Sequence, residues 1–86
     1  MAGSDAAPEL VVYGRAYCHL CGDMIEALRP LERTLGFRLR VVDVDEDPAL
    51  ERCYGDKVPL LEGGGEEICH YFLDRAALDA FLSKVR

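Results

Sequence analysis

The segment Arg15–Leu28, RAYCHLCGDMIEAL, places two cysteines in a CxxC motif where an apolar run gives way to a helical pattern. Just upstream, residues 10–13 read LVVY, rich in β-branched residues, and the run ends at Gly14. We expect a fully buried strand over this run, followed by a helix that begins at the cysteines. The pair itself is open to three interpretations: a redox-active dithiol, half of a metal clamp, or the buried end of an ordinary helix.

Apolar residues downstream of the pair repeat with a period close to 3.6, which predicts an amphipathic helix. They are Leu20, Cys21, Met24, Ile25, Leu28, Leu31 and Leu35. Gly36 follows as the expected C-terminal stop. Pro30 lies inside the pattern and cannot donate a hydrogen bond to the carbonyl of Glu26. We therefore expect the helix to kink or to end early.

The second half of the chain predicts three more strands and two more helices. FRLRVVDVD, residues 37–45, reads as a partly exposed strand. Asp47-Pro48 starts a short helix that Gly55 closes. VPLLE (58–62) and EICHYF (67–72) are expected to pair antiparallel around the glycines at 63–65. Asp74 caps the last helix, and Leu73 packs onto it as a hydrophobic staple. Its expected buried face is Ala77, Leu78, Phe81, Leu82 and Val85.

These elements predict an α/β domain in the order βαβαββα, with a four-stranded mixed sheet and flanking helices. The length of 86 residues and the 50% hydrophobic content suit one globular domain. We place that domain at residues 9–86, after a mobile lead-in at residues 1–8.

Charge and cysteine content narrow the function classes. Sixteen acidic residues against ten basic ones give a net charge of -6. Clustered Lys and Arg are needed to bind phosphates, so we expect neither nucleic acid nor a membrane as partner. The N-terminus lacks a signal-peptide pattern, and no stretch reaches membrane-spanning length, so we expect a cytoplasmic protein. Four cysteines in that reducing compartment do not suggest a structural disulfide framework.

The positions of the two cysteines predict different chemical roles. Cys18 lies at the start of the helix, where backbone N–H groups and the helix dipole favour a thiolate. Cys21 lies one turn later and can attack a mixed disulfide formed at Cys18. His19, when protonated, could stabilise the thiolate further, or it is a solvated loop histidine. Arg15 could steer an anionic thiol substrate, or it is an ordinary surface charge.

Two motifs in this context carry a resemblance to a known family: YGRAYCHLC at residues 13–21 and KVPLL at residues 57–61. From about Glu9 onward the chain resembles the thioredoxin-like superfamily, and most closely its small glutaredoxin-like branch. The resemblance implies a thioredoxin-like fold in which Pro59 is cis and faces the dithiol. It also implies that the backbone of Val58 binds the substrate's chain, with glutathione as a possible co-substrate and no bound cofactor.

The chain also departs from the glutaredoxin pattern. His19 and Leu20 stand where glutaredoxins usually carry proline and an aromatic residue, and Lys57 stands where they have threonine. Glutaredoxins hold glutathione with a Gly-Gly and an acidic residue at the last helix, whereas EICHYFLD offers only Asp74. Arg15 matches their basic position three residues before the first cysteine. The departures imply weakened glutathione binding without excluding it.

Three functions follow from these residues. The first is a monomeric thiol–disulfide oxidoreductase that reduces protein or glutathione mixed disulfides, with Lys57 and Tyr17 beside the substrate. The second is a thioredoxin-like adaptor whose dithiol is idle. The third is a metal or iron–sulfur site, which would need two further ligands. Cys53, Cys69 and His70 are available, but we interpret both cysteines as small buried hydrophobes and expect no metal. Tyr17 and Tyr54 either line the active surface or complete the core.

Overall fold

The computed structural model describes residues 7–85, so most of the predicted lead-in, residues 1–6, lies outside the described part of the chain. The described elements follow the predicted order βαβαββα. The strands are β1 (Glu9–Gly14), β2 (Arg38–Asp43), β3 (Leu60–Gly63) and β4 (Glu66–His70). The α-helices are α1 (His19–Leu31), α2 (Pro48–Tyr54) and α3 (Arg75–Val85).

The strands form one mixed sheet in the order β2-β1-β3-β4. β1 and β2 run parallel, with Val12 opposite Val41. β3 pairs antiparallel with β1, so that Leu61 also lies opposite Val12, and it pairs antiparallel with β4 through Cys69. The predicted mixed sheet and its glycine-linked hairpin are confirmed. This order puts the C-terminal end of β1, from which the chain leads to the cysteines, beside the N-terminal end of β3.

The core lies on one face of the sheet, beneath α1 and α3. Leu10 and Val12 are fully buried on this face, whereas Val11 and Tyr13 point to the other face and are half-buried. The expectation that β1 is fully buried was therefore wrong for its second face. The core cluster comprises Leu10, Val12, Met24, Leu28, Phe37, Leu61, Cys69, Leu78, Phe81 and Leu82. Because this cluster holds α1 against the sheet, it fixes the position of the helix that carries the CxxC motif.

Pro30 shapes the end of α1. The regular helix ends at Leu31, and Glu32–Gly36 forms one π-helical turn in which the Phe37 N–H donates to the Glu32 carbonyl at 3.1 Å. The predicted early end of the α-helix is confirmed, although helical chain continues to Gly36, where φ is 79°. A proline lacks the N–H that would bond four residues back, so the regular helix is weakened at Pro30, one residue before it ends.

The predicted helix caps are both present. The Asp47 carboxylate accepts from the Ala49 N–H at 2.9 Å, and the Asp74 carboxylate accepts from the Ala77 N–H at 3.0 Å. Leu73 packs against the core next to this second cap. Val85, however, is 45% exposed, so its assignment to the buried face of α3 was wrong. The last three residues of α3 are all exposed, because the helix has passed the edge of the core.

The last three strands each begin one or two residues away from the predicted position, and their C-terminal ends differ as well. β2 ends at Asp43, whose carboxylate accepts from the Asp45 N–H at 2.9 Å and starts a 3₁₀ turn. β3 extends through Gly63, and only Gly64 and Gly65, with φ of 57° and 82°, make the turn. Positive φ at both central residues is the geometry of a tight hairpin, which glycine adopts without steric penalty. β4 ends at His70.

None of the helices in residues 7–85 has the length and apolarity to cross a bilayer.

Candidate active site: the Cys18–Cys21 pair

Cys18 is the N-cap residue of α1. Its backbone is extended, and its Sγ accepts a hydrogen bond from the Cys21 N–H at 3.2 Å. Its carbonyl accepts the first helical hydrogen bond, from Gly22 at 3.2 Å. The positive end of the helix dipole and a free amide of the first turn therefore both act on this sulfur. Such a position stabilises a thiolate more than a neutral thiol.

The structure joins the two cysteines in a disulfide with their Cα atoms 5.2 Å apart. Cys21 is 3% exposed, whereas Cys18 is half-buried at the surface end of the helix. Cys21 lies against Gly14, since a Cβ at that glycine would stand 3.2 Å from both its Cβ and its Sγ. Gly14, which the sequence marked only as a strand end, thus leaves room for the second sulfur. The two sulfurs differ in access as their positions predicted.

Pro59 lies at the same end of the sheet. The Val58–Pro59 peptide bond is cis, as the resemblance implies, and Pro59 is fully buried. Leu60 pairs with Tyr13 in the antiparallel register. Pro59 therefore comes opposite Gly14, the residue against which Cys21 packs. Val58, the predicted backbone contact for substrate, is extended and half-buried just before it.

Arg15 is held by two carboxylates. Its Nη2 lies 3.1 Å from an oxygen of Asp45 and 3.2 Å from an oxygen of Glu51. The hydrogen bond with Glu51, reinforced by Asp45, raises the pKa of the Arg15 guanidinium above its usual value. These contacts tie the loop after β1 to α2 and to the 3₁₀ turn before it. The side chain predicted to steer an anionic substrate has two anionic partners within the chain.

The other two predicted cations near the site also lie beside carboxylates. His19 is 90% exposed, and its Nε2 lies 3.4 Å from a carboxylate oxygen of Asp23. The Lys57 Nζ lies 3.7 Å from a carboxylate oxygen of Glu67. Both pairs lie at the surface, so the side chains of His19 and Lys57 are also accessible to solvent. Each of the basic side chains Arg15, His19 and Lys57 therefore has an acidic neighbour within the chain.

The two candidate tyrosines have separate locations. Tyr17 precedes Cys18 with φ of 61° and is fully exposed, so it lies at the active surface and takes no part in the core. Tyr54 stacks on Tyr13 with ring centroids 4.1 Å apart, on the sheet face opposite α1. Tyr54 therefore packs α2 onto the sheet. Sequence spacing alone left both alternatives open for each ring.

The remaining cysteines do not join the pair. Cys69 is buried in the core, and its burial raises the pKa of its thiol. The interpretation as a buried hydrophobe holds for Cys69 but was wrong for Cys53, which is exposed on the short helix α2. Over residues 7–85, no group of three His, Cys, Asp or Glu side chains is arranged to hold a metal ion.

An aromatic pair that the sequence pattern did not reveal lies beside the CxxC motif. Tyr71 and Phe72, assigned to a strand, instead form the connection between β4 and α3, and Phe72 is 67% exposed. Tyr71 has φ of 67°, and the Phe72 N–H donates to the His70 carbonyl at 2.8 Å. Two aromatic residues two and three positions before the helix cap Asp74 were the available signal, but the same residues also fit a strand pattern.

Comparison with known proteins agrees with this geometry. The family model "Glutaredoxin-like domain (DUF836)" matches residues 9–83. A protein from Nitrosomonas europaea, solved by NMR, is 44% identical with a TM-score of 0.79, covering 87% of this chain and 91% of that one. A protein from X. campestris, solved by X-ray diffraction, is 37% identical with a TM-score of 0.69, covering 87% and 96%.

Two further proteins match this chain at lower sequence identity. An uncharacterized protein of Mycobacterium tuberculosis is 29% identical over 82 residues, which is 90% of this chain and 84% of the relative. Thioredoxin 1 from Thermosipho africanus, 15% identical, superposes with a TM-score of 0.62 over 90% of this chain and 97% of that one, and so shares the fold. With the CxxC pair at the head of α1 and the family match over nearly all of the described residues, the chain belongs to the glutaredoxin-like family of the thioredoxin-like superfamily.

Proposed function

We propose that this protein is a thiol–disulfide oxidoreductase that reduces protein or glutathione mixed disulfides. The observation that carries the proposal is the contact between the Cys18 sulfur and the Cys21 amide at 3.2 Å, with the second sulfur within disulfide reach of the first. A half-buried sulfur held at a helix N-terminus is a good nucleophile, and a buried neighbour one turn away is placed to resolve its adduct.

The reaction consists of two thiol–disulfide exchanges. The Cys18 thiolate attacks one sulfur of a substrate disulfide, forms a mixed disulfide with it and releases the other half as a thiolate. The Cys21 thiolate then attacks the Cys18 sulfur, which forms the intramolecular disulfide and releases the second thiolate. The substrate gains two electrons, the pair loses two, and solvent protonates the released thiolates. The structure corresponds to the oxidised end of this cycle.

The other parts of the proposal concern the surroundings of the dithiol. A thiol reductant, either glutathione or a protein dithiol, returns the pair to its reduced form by the reverse exchange. The Val58 backbone, before the cis Pro59, aligns the substrate's chain, and Tyr17 and Lys57 contact it. When the His19 imidazole is protonated, its positive charge stabilises the Cys18 thiolate. The protein acts as a cytoplasmic monomer and needs no bound cofactor.

Turnover of a disulfide substrate tests this proposal directly. In a Cys53→Ser background, which removes the exposed thiol, we expect Cys18→Ser to abolish turnover because the attacking sulfur is gone. Without a free thiol in the assay, Cys21→Ser is expected to form the mixed disulfide once and then stop, since the resolving sulfur is missing. Mass spectrometry of the quenched reaction identifies that trapped species on Cys18.

Cys69→Ser in the same background is the matched control. Its sulfur is buried, and its pKa is raised, so it takes no part in exchange. Full turnover by Cys18→Ser, or a mixed disulfide trapped on Cys69, would contradict the mechanism. If the parent protein turns over no disulfide although its pair is reduced, the chain is a thioredoxin-like adaptor instead.

A further inference from the structure

An apolar cleft extends from the CxxC motif along one side of α1. We call it the aromatic cleft. Its volume is about 300 Å³, and its lining residues are Leu20, Asp23, Met24, Ala27, Tyr71, Phe72 and Leu73. Leu20, which stands between the two cysteines in the sequence, lines the cleft, so the cleft lies beside the CxxC motif. This volume lies at the lower end of the range for ligand pockets and suits a single large side chain.

The side of the cleft across from α1, which contains Tyr71 and Phe72, is hydrogen-bonded to the loop that carries Pro59. The Tyr71 N–H donates to the Pro59 carbonyl at 2.7 Å, and the Tyr71 hydroxyl donates to the Asp56 carbonyl at 2.7 Å. Tyr71 holds a left-handed backbone conformation that is unusual for a residue with a side chain. The chain therefore turns sharply there and leaves Phe72 exposed at the cleft next to the exposed Tyr71, so that two aromatic rings share one patch of surface.

The charges around the cleft do not suit an anionic ligand. Glutathione has two carboxylates and would need cations or free backbone N–H groups to receive them. The side chains of Arg15 and Lys57 already lie beside carboxylates. The Asp74 carboxylate is engaged as the cap of α3. Asp23 lines the cleft and is 61% exposed, and its ion-pair neighbour, the exposed His19 imidazole, lies 3.4 Å from one of its two carboxylate oxygens. The carboxylate therefore still offers an anionic group that would repel glutathione.

The same charges suit a different ligand. We propose that the aromatic cleft binds a large apolar side chain adjacent to the disulfide of a polypeptide substrate, with a basic residue of that polypeptide facing Asp23. The inference rests on the proposed function and narrows it to polypeptide disulfides over glutathione. Phe72 is the specificity-determining contact, since its exposed ring supplies apolar area that becomes buried only when the substrate binds.

Mixed disulfides of one chromophoric thiol with three carriers test the cleft. The carriers are a peptide with Leu beside its cysteine and Lys next to that, the same peptide with Ser in place of Leu, and glutathione. We expect kcat/KM for the Leu peptide to exceed that for the Ser peptide by about tenfold or more, because a buried apolar contact discriminates on that scale. We expect glutathione to be a poorer substrate than the Leu peptide.

Substitution at Phe72 locates the preference. Phe72→Ala is expected to remove most of the Leu-over-Ser ratio, and Phe72→Leu to retain much of it. Val85→Ala removes an exposed apolar side chain outside the cleft and should leave all three rates unchanged. Equal rates for Leu and Ser peptides in the parent protein, or glutathione as the best substrate with no effect of Phe72→Ala, would overturn the inference.

Two further measurements separate this inference from the proposed function. If none of the three carriers releases the chromophore, the oxidoreductase proposal fails. Binding of the Leu peptide with Ser replacing its cysteine, followed by ¹H–¹⁵N NMR, then tests the cleft by itself, and the absence of Phe72-dependent shifts overturns it. Sedimentation tests whether a second copy of the chain covers the cleft instead. A dimer that Phe72→Ala dissociates would show this and would contradict our inference.

Discussion

Gly63 lies in β3 where the chain passes under α3. A Cβ at this position would stand 2.6 Å from two ring carbons of Phe81 and 2.8 Å from a methyl carbon of Leu10. Both neighbours belong to the buried core, so neither can move away freely. We expect Gly63→Ala to lower the free energy of unfolding by about 1–3 kcal/mol, the usual effect of overpacking a core. Urea unfolding followed by circular dichroism measures the change.

Gly22 provides the matched control for this substitution. A Cβ there would meet nothing within 4 Å, and the residue is exposed within α1. Gly22→Ala should therefore leave stability unchanged or raise it by up to about 1 kcal/mol, because alanine favours the helix. Equal effects of the two substitutions would show that Gly63 is not tightly packed.

For single residues, the sequence predicted the roles that depend on contacts with nearby residues in the chain. Asp47 and Asp74 were recognisable as caps, since a cap bonds only two or three residues ahead. The cysteine roles followed in the same way from one helical turn. Gly63 was assigned to the hairpin turn, because three glycines in a row contain no pattern that separates strand from turn. Its close approach to Phe81 depends on a residue eighteen positions further along the chain.

α2 is joined to the sheet by two tyrosines and one glutamate. The Tyr13 ring of β1 stacks on the Tyr54 ring of α2. Both hydroxyls donate to the carboxylate of Glu62 on β3, at 3.1 Å and 3.3 Å. Burial is the main cause that raises the pKa of each tyrosine above its usual value, and the Glu62 charge adds to it. The short helix thus depends on two hydroxyl groups that must stay protonated.

These pKa shifts predict a loss of stability in alkaline solution. Unfolded tyrosines ionise near pH 10, whereas folded Tyr13 and Tyr54 keep their protons to higher pH. The unfolded state then binds fewer protons than the native state, so the free energy of unfolding falls as pH rises above about 10. Below that pH the contribution is fully present. Urea unfolding of the Cys53→Ser protein between about pH 9 and pH 11 measures the decline.

The Tyr13→Phe and Tyr54→Phe double variant should show a shallower decline, because it no longer carries the two raised groups. Tyr17→Phe removes a tyrosine that is fully exposed and should keep the decline of the parent protein. The same slope in all three proteins would mean that the buried tyrosines do not control alkaline stability.

Among the secondary-structure elements, periodicity together with cap and turn residues predicted the four strands and three helices of residues 7–85, whereas their ends depended on tertiary contacts. The effect of Pro30 was predicted, but the continuation as a π-helical turn was not. There the Glu32 carboxylate accepts from the Leu39 N–H of β2 at 2.8 Å, a contact that links the turn to the sheet. The aromatic cleft was missed for the same reason, because Leu20 and Phe72, far apart in the sequence, line it together only in the folded chain.

Over the whole molecule, the fold class was predictable because one short motif and the order of the elements agree with each other. The net charge is also a property of the whole molecule, and its electric field acts on a substrate before the two make contact. With a charge of -6 the protein attracts cationic substrates and repels anionic ones over distances comparable to the Debye length, about 10 Å at 0.1 M salt.

Salt should therefore change the rates for oppositely charged substrates in opposite directions. Consider three mixed disulfides of the Leu peptide in which the basic position holds Lys, Gln or Glu. We expect kcat/KM to fall several-fold for the Lys peptide between about 0.02 M and 0.5 M sodium chloride, because screening removes the attraction. The Glu peptide should gain, and the Gln peptide should change little. Stopped-flow release of the chromophore gives the three slopes. One slope shared by all three peptides would show that salt acts on the thiolate or on protein stability, and that charge does not guide substrates to Cys18.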